Sequence, residues 1–230
     1  MNKKIDGKKV VLVVAAHPDD ELLGVGGTLI KHKESGDIIY CLILGEGVMS
    51  RTGSDTGEVS KLQSESQKVG KIIGFKEIYF SNFPDNSFDT VSLLSVAREI
   101  EKYLEIIKPS VVYTHFENDL NIDHRVAFQA VLTASRPCNE NCPSEIYTFE
   151  TLSSTEWQSK NGQVFNPNKY VNIEDTIEQK IKAMKEYKGE IRNYPHPRSP
   201  EGIKILASFR GLESGLRFAE AFETVREIND

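Results

Sequence analysis

Apolar runs alternate with amphipathic stretches along most of this 230-residue chain. Residues 10–16 are continuously apolar, which is typical of a strand buried on both faces of a parallel sheet. Residues 91–107 instead carry apolar side chains at helical spacing and predict an amphipathic helix. The whole pattern predicts strands at 10–16, 37–44, 77–80, 110–114, 145–150 and 170–173. It predicts helices at 21–33, 58–73, 91–107, 124–135, 176–187 and 203–209. Residues 217–225 fit either a strand or a helix. This alternation implies an α/β fold with a mostly parallel sheet and helices on both faces.

One histidine and three carboxylates come directly after the first predicted strand, in residues 15–21 (Ala-Ala-His-Pro-Asp-Asp-Glu). Open α/β sheets bind ligands at the carboxyl ends of their strands. Four ionisable groups at such a place repel one another unless a positive charge lies among them, and a divalent metal ion would supply it. Asp19 and Asp20 alone would more simply be a helix cap, but capping needs no histidine.

A second polar stretch follows the strand predicted at 110–114 and contains Asp-His-Arg at residues 123–125. Two strand-to-helix loops of one parallel sheet can converge at the same edge. His17, Asp20 and His124 can then give two nitrogens and one carboxylate to one ion, with a position left for water, as in catalytic zinc sites. Asp19 would be the spare carboxylate, placed to accept a proton from the metal-bound water. On its own, the second stretch is as easily a surface helix start.

The glycine-rich loop after the second strand contains Arg51 and should reach the same edge of the sheet. An arginine there can bind an anionic or hydroxyl-rich ligand, or it can simply be solvated. Gly45 and Gly47 resemble part of a dinucleotide-binding fingerprint, but the third glycine and a prompt helix are missing. The sequence of this loop therefore argues against nucleotide binding.

Composition and charge narrow the classes of protein. The net charge of −6 argues against a nucleic-acid partner, because phosphate binding needs a basic face. No apolar run approaches the roughly 20 residues that a membrane span needs, and the amino-terminal residues lack a signal-peptide core, so we expect a cytoplasmic protein. Cys41 reads as a core residue, and Cys138 and Cys142 read as loop thiols without a second cysteine pair for zinc. One domain over 1–230 is the simplest account of a chain without a linker or repeat.

Residues 16–21 (Ala-His-Pro-Asp-Asp-Glu) together with 123–125 (Asp-His-Arg) resemble the LmbE-like (PIG-L) family of metal-dependent N-deacetylases. The resemblance implies a Rossmann-like domain with a core at 8–136. Beyond the part that it covers, we expect 137–230, including Trp157, Tyr194, His196 and Arg198, to shape the pocket or make oligomer contacts. It implies Zn²⁺, or another single divalent metal, held by His17, Asp20 and His124. It also implies that Asp19 is the general base and that Arg51 binds substrate. Members of the family are often homo-oligomers.

The chain departs from the family pattern at Asn121, where the family commonly has a histidine three residues before the metal-binding one. An asparagine amide can donate a hydrogen bond to a developing oxyanion, but it cannot deliver a proton near neutral pH. Asp123 would orient that histidine in the family. Because the histidine is absent here, we still expect Asp123 to be a catalytic residue, but with a different role. Proton delivery can come from Asp19, acting first as base and then as acid, or from His115 if its side chain reaches the site.

Taken with the candidate metal site, the resemblance implies a zinc-dependent hydrolase that removes an N-acetyl or other acyl group from an amino-sugar derivative by metal-activated water. The enzyme would be an amidohydrolase acting on a linear amide, with a small-molecule amino sugar as its partner. Two alternatives stay open. A metal-dependent phosphoesterase would use similar residues, often with two ions. A weakly active sugar-binding protein that retains the metal site would explain Asn121.

Overall fold

The computed structural model describes residues 7–50 and 56–229. Within them the strands are β1 (Val10–Ala15), β2 (Ile38–Gly45), β3 (Glu77–Phe83), β4 (Val111–His115), β5 (Glu145–Phe149), β6 (Lys169–Asn172) and β7 (Ala219–Glu227). The helices are α1 (Asp20–Glu34), α2 (Thr56–Ile73), α3 (Leu93–Ile107), α4 (Ile122–Ala134), α5 (Ile177–Met184) and α6 (Pro200–Ser214). No helix among these residues combines the length and the apolar character that crossing a membrane requires.

The seven strands form one sheet in the order β3-β2-β1-β4-β5-β7-β6. Strands β1 to β5 are parallel to one another, while β7 is antiparallel to β5 and to β6. The predicted α/β class with a mostly parallel sheet is thus confirmed. The strand order reverses between β1 and β4, and in such sheets the crevice outside the carboxyl ends of those two strands is the usual ligand site.

Helices cover both faces of the sheet, which explains why the first strand is continuously apolar. Val11 and Val13 belong to the core cluster formed with α1, α2, α5 and α6. Leu12 and Val14 belong to the cluster formed with α3 and α4 on the opposite face. Because successive strand side chains point to opposite faces, a strand covered on both sides needs apolar residues at every position.

Two elements near the carboxyl terminus differ from the predicted pattern. The helix predicted at 203–209 extends over α6, because Ser199 caps its start by accepting from the Gly202 N–H, with Pro200 next in the chain. It ends at Gly215, whose positive φ of 71° suits a glycine. The ambiguous stretch 217–225 is largely strand β7, because it pairs with β5 on one side and with β6 on the other.

A buried ion pair ties α1 to the carboxyl-terminal part of the chain. Lys180 of α5 and Glu220 of β7 lie 2.7 Å apart, and both side chains are about 5% exposed. The Glu220 carboxylate accepts from the N–H groups of Gly27 and Thr28, and Lys180 Nζ donates to the Leu23 carbonyl. The helix that follows the first polar motif is therefore fixed by residues about 150 to 200 positions away in the sequence.

Candidate active site

The two polar motifs meet at the point where the strand order reverses. His17 lies between β1 and α1, Asp20 begins α1, and His124 is in the first turn of α4. Their candidate ligand atoms all lie within 4.8 Å of one another. Asp20 Oδ2 is 3.4 Å from His17 Nδ1 and 3.3 Å from His124 Nε2. The structure therefore brings together the three residues that the sequence predicted as metal ligands.

The ring of His124 is held from behind by Asp119, a residue that the sequence did not single out. His124 Nδ1 lies 3.1 Å from Asp119 Oδ1, and the same carboxylate accepts hydrogen bonds from the hydroxyls of Ser154 and Thr155. This leaves His124 Nε2 buried and without a hydrogen-bond partner among the described residues. A buried polar atom without a partner is costly, and a divalent ion beside Asp20 would satisfy it. The donor set therefore fits a metal ion.

The ring of His17 is held in the same way by Asp123. His17 Nε2 lies 2.8 Å from Asp123 Oδ2, which leaves Nδ1 facing Asp20. The Asp123 carboxylate also accepts from the N–H groups of Asn86 and Phe88, at 2.7 and 2.9 Å, and its side chain is fully buried. Asp123, predicted as a catalytic residue, thus lies behind His17 rather than in the wall of the cavity described below.

The carboxylates make this cluster attractive to positive charge. Burial opposes a charge on His17, but its hydrogen bonds to Asp123 and Asp20 raise the pKa of His17 to about 10. Burial likewise opposes a charge on His124, but Asp20 and Asp119 raise the pKa of His124 to about 9. Burial opposes a charge on Asp20, but His124, His115 and His17 together hold the pKa of Asp20 well below its usual range. Protons and a divalent ion therefore compete for the same cluster.

A second group of possible ligands consists of His17, Asp85 and Asp123, which shares His17 with the first. Its carboxylates are already engaged by neutral donors. Asp85 Oδ2 accepts from the N–H and the hydroxyl of Ser50, at 2.9 and 2.6 Å, and Asp123 accepts the two main-chain N–H groups. This group therefore reads as a hydrogen-bonded support for His17 rather than as a second ion site.

Asp19 adopts an unusual backbone conformation beside the cluster. Its φ is 106°, a positive value that costs roughly 1–3 kcal/mol in a residue other than glycine. The Asp19 N–H donates to Glu21 Oε2 at 3.0 Å, and Glu21 Oε1 accepts from the Tyr187 hydroxyl at 2.7 Å. Glu21 therefore helps to hold Asp19 in this conformation and connects it to the carboxyl-terminal part of the chain.

The Asp19 carboxylate pairs with Arg198, for which the sequence predicts a place in the pocket or in an oligomer contact but no role of its own. Arg198 Nη1 lies 3.0 Å from Asp19 Oδ2 and 2.7 Å from Glu190 Oε2. Burial raises the pKa of Asp19 well above its usual value, although the guanidinium opposes this shift. The only sequence signal for Arg198 was its charge in a proline-rich turn, which does not show where the turn lies.

Three further residues were candidates for the site: Asn121, His115 and Arg51. Asn121 caps α4: its Oδ1 accepts from the Asp123 N–H at 2.8 Å, and its Nδ2 donates to Asn86 Oδ1 at 3.1 Å. His115 packs against the cluster, with its ring stacked on His124 and its Nε2 3.5 Å from Asp20 Oδ2, but this buried Nε2 accepts from the Ala16 N–H and so is not a proton donor. Burial lowers the pKa of His115 to about 3. Arg51 lies outside the described residues.

A polar cavity of about 170 Å³ opens over the cluster. His17, Asp19, Asp20, Asn121 and His124 line it. The segment 151–154, Glu190 and Arg198 also belong to its wall. Residues beyond 136 therefore contribute directly to the space above the cluster.

Two histidines and one aspartate lie at the point where the Rossmann-like sheet reverses its strand order. The class of protein is therefore an α/β protein with a possible His/Asp metal site. Within that class, the chain belongs to the PIG-L family. Residues 12–135, more than half of its length, match the family model described as GlcNAc-PI de-N-acetylase. The resemblance noted in the two motifs is thus confirmed, and the family's reaction is the hydrolysis of an N-acetyl group.

Known proteins resemble this chain over nearly its whole length. The chain is 27% identical to the diacetylchitobiose deacetylase of Thermococcus kodakarensis, over 99% of this chain and 87% of the relative. A solved structure of the N,N'-diacetylchitobiose deacetylase from Pyrococcus horikoshii superposes with a TM-score of 0.75, at 23% identity, over 96% of this chain and 85% of that one. The 4-carboxy-2-hydroxymuconate hydratase GalB of Pseudomonas putida also reaches 0.75, at 18% identity, over 96% and 98% of the two chains. The fold alone therefore does not decide the reaction.

Proposed function

We propose that this protein is a divalent-metal-dependent deacetylase that hydrolyses the acetamide of an amino sugar. One observation carries the proposal: the buried Nε2 of His124, which makes no hydrogen bond among the described residues, converges with His17 and Asp20 at a polar cavity. In a chain of the PIG-L family, this arrangement supports amide hydrolysis over the other reactions that the fold accommodates.

His17 Nδ1, His124 Nε2 and Asp20 would hold the ion. Two imidazole nitrogens and one carboxylate, with a position left open, are a donor set of catalytic zinc, so Zn²⁺ is the metal we propose. When bound, such an ion lowers the pKa of a coordinated water and polarises the amide carbonyl. Asp119 and Asp123 are the positioning residues, because each holds the ring of one histidine ligand.

Asp19 is the proposed general base. Its carboxylate lies in the cavity wall, adjacent in the chain to the candidate ligand Asp20, where it can accept a proton from the attacking water. Arg198 fixes the carboxylate through Oδ2. Asp19 takes a proton from the attacking water and returns it to the nitrogen of the leaving amine as the C–N bond breaks. Acetate and a free amine are the products.

Asn121 is the proposed donor to the oxyanion. One N–H of its Nδ2 is used by Asn86, and the side-chain amide carries a second N–H that can point into the cavity. Arg51 remains the proposed substrate-binding residue, supported by Ser50, its neighbour in the chain, which lines the cavity. A cytoplasmic location, a homo-oligomer and a single domain over 1–230 stay predictions.

The relatives suggest a short N-acetylated saccharide as the substrate. The test measures acetate release by the zinc-loaded protein from N-acetylglucosamine and N,N'-diacetylchitobiose, alongside phosphate release from p-nitrophenyl phosphate. We expect acetate and no phosphate. Phosphate release without acetate would favour the phosphoesterase alternative. Saturable binding of the sugars without acetate would favour the weakly active binding protein.

A further inference from the structure

The chain has one tryptophan, Trp157, and its side chain is 54% exposed. It ends the short 3₁₀ turn Thr155–Trp157, three residues after the cavity-lining Ser154. Single exposed apolar side chains are common on protein surfaces and do not by themselves indicate a binding site. Trp157 differs from the exposed Leu212 of α6, for example, because contacts on both sides connect it to the cavity wall.

On one side, the turn that carries Trp157 is anchored to the support of the metal cluster. The hydroxyls of Ser154 and Thr155 donate to the carboxylate of Asp119, which holds His124. Directly after the tryptophan, Gln158 Nε2 donates to the main-chain oxygen of Asp119 at 3.3 Å. These anchors lie before and after Trp157 and do not involve its ring. The indole is therefore held in a fixed place relative to His124 while much of it stays exposed.

On the other side, Trp157 contacts the turn that carries Arg198. Its ring meets the ring of His196 edge to face, with centroids 5.9 Å apart and an interplanar angle of 83°. His196 Nδ1 accepts from the Arg198 N–H at 3.1 Å, and Arg198 lines the cavity and pairs with Asp19. Neither Trp157 nor His196 lines the cavity, but Ser154, three residues before Trp157, and Arg198, two residues after His196, both do, so the aromatic pair lies next to the cavity wall.

The cavity is too small for a long substrate. Its volume of about 170 Å³ is below the ~300–1,000 Å³ of pockets that enclose drug-sized ligands. A saccharide whose acetamide reaches the metal cluster must therefore extend its other units over the rim. One face of a pyranose ring carries mainly C–H groups, and an indole face can shield these groups from water, while the ring hydroxyls stay solvated.

We propose that Trp157, with His196, forms a stacking site for the sugar ring linked to the one whose acetamide is hydrolysed. This proposal rests on the proposed deacetylase function and names its substrate class: an N-acetylated saccharide of at least two rings. A monosaccharide would fill the cavity without reaching Trp157.

The kinetic test compares N,N'-diacetylchitobiose with N-acetylglucosamine in the zinc-loaded protein. Trp157→Ala is expected to raise KM for the disaccharide about tenfold with little change in kcat, and to leave the constants for the monosaccharide unchanged. Trp157→Phe keeps an aromatic face and is expected to retain most of the affinity. Phe209→Ala is the matched control, because Phe209 is a similarly exposed aromatic residue, at 49%, but belongs to α6 and not to the turn that follows the cavity-lining Ser154. Unchanged disaccharide KM in Trp157→Ala, or an equal loss with both sugars, would overturn the proposal.

A fluorescence titration separates this proposal from the proposed function. Because Trp157 is the only tryptophan, the emission of the native protein reports this site alone. If the protein releases acetate from neither sugar, the deacetylase function fails, and the disaccharide can then be titrated without turnover. A saturable change in tryptophan emission with N,N'-diacetylchitobiose would still support a sugar-stacking site, and constant emission up to the solubility limit of the sugar would overturn it.

Discussion

Replacing Asp19 with asparagine is expected to lower kcat for acetate release by about 10²–10⁴-fold, the usual contribution of a general base. Asparagine has nearly the same shape and tolerates the positive φ at this position, so the exchange removes mainly the proton acceptor. Glu190 still pairs with Arg198, which limits any wider rearrangement. The bound metal, measured by atomic absorption after dialysis, should stay at the parental level.

The control for Asp19→Asn is Asp37→Asn. Asp37 is likewise paired with a basic side chain, at 2.7 Å from His32 Nδ1, but it precedes β2 at the opposite edge of the sheet. Its loss should leave kcat unchanged. A parental kcat in Asp19→Asn would remove this residue from the role of base, whereas a loss of the metal would mean that Asp19 supports the ion site instead.

Replacing His124 with alanine is expected to abolish both metal retention and acetate release. It removes the one buried nitrogen of the cluster that has no hydrogen-bond partner among the described residues, and His17 and Asp20 alone leave too few ligands for a stable site. Competition with a chromogenic chelator measures the affinity for zinc, and circular dichroism checks that the fold persists.

A second variant, Asp119→Asn, distinguishes the metal ligand His124 from the residue that holds its ring. Asp119→Asn keeps His124 but removes the charge behind its ring, so the affinity for zinc should fall only about 10–100-fold, and excess zinc should restore activity. Excess zinc should not rescue His124→Ala. If both variants behaved alike, or if His124→Ala kept its metal, the ligand assignment would be wrong.

Sequence patterns predicted the part of the site that belongs to strand ends. Strand β1 is apolar throughout because helices cover both faces, and a histidine and carboxylates that follow such a strand come to the sheet edge where ligands bind. His17 and Asp20 could therefore be predicted from local sequence, and His124 from the equivalent position after β4.

The supporting residues could not be predicted in this way. Asp119, Asp85 and Arg198 lie in loops without periodicity, and their roles depend on where those loops fold back. The same limit applies to β7, whose sequence fits helix or strand until its pairing with β5 and β6 is known. Tertiary contacts decide these features.

The different roles of Asp123 and His124 could not be predicted from their spacing in the sequence. They are neighbours in the first turn of α4, and successive side chains of a helix point about 100° apart. One ring nitrogen of His124 therefore faces Asp20, while Asp123 faces the far side of His17. The motif Asp-His-Arg supplies one ligand and the support of another, a division that only the fold reveals.

The most direct test of the account is the number of zinc ions per chain that restores acetate release from N,N'-diacetylchitobiose after the metal has been removed with a chelator. We expect activity to rise linearly and to reach its plateau at one ion per chain, bound by His17, Asp20 and His124. A plateau at two ions would mean that the group of His17, Asp85 and Asp123 also binds metal and would favour phosphoesterase-like chemistry. Full activity without any added ion would contradict the metal-dependent mechanism.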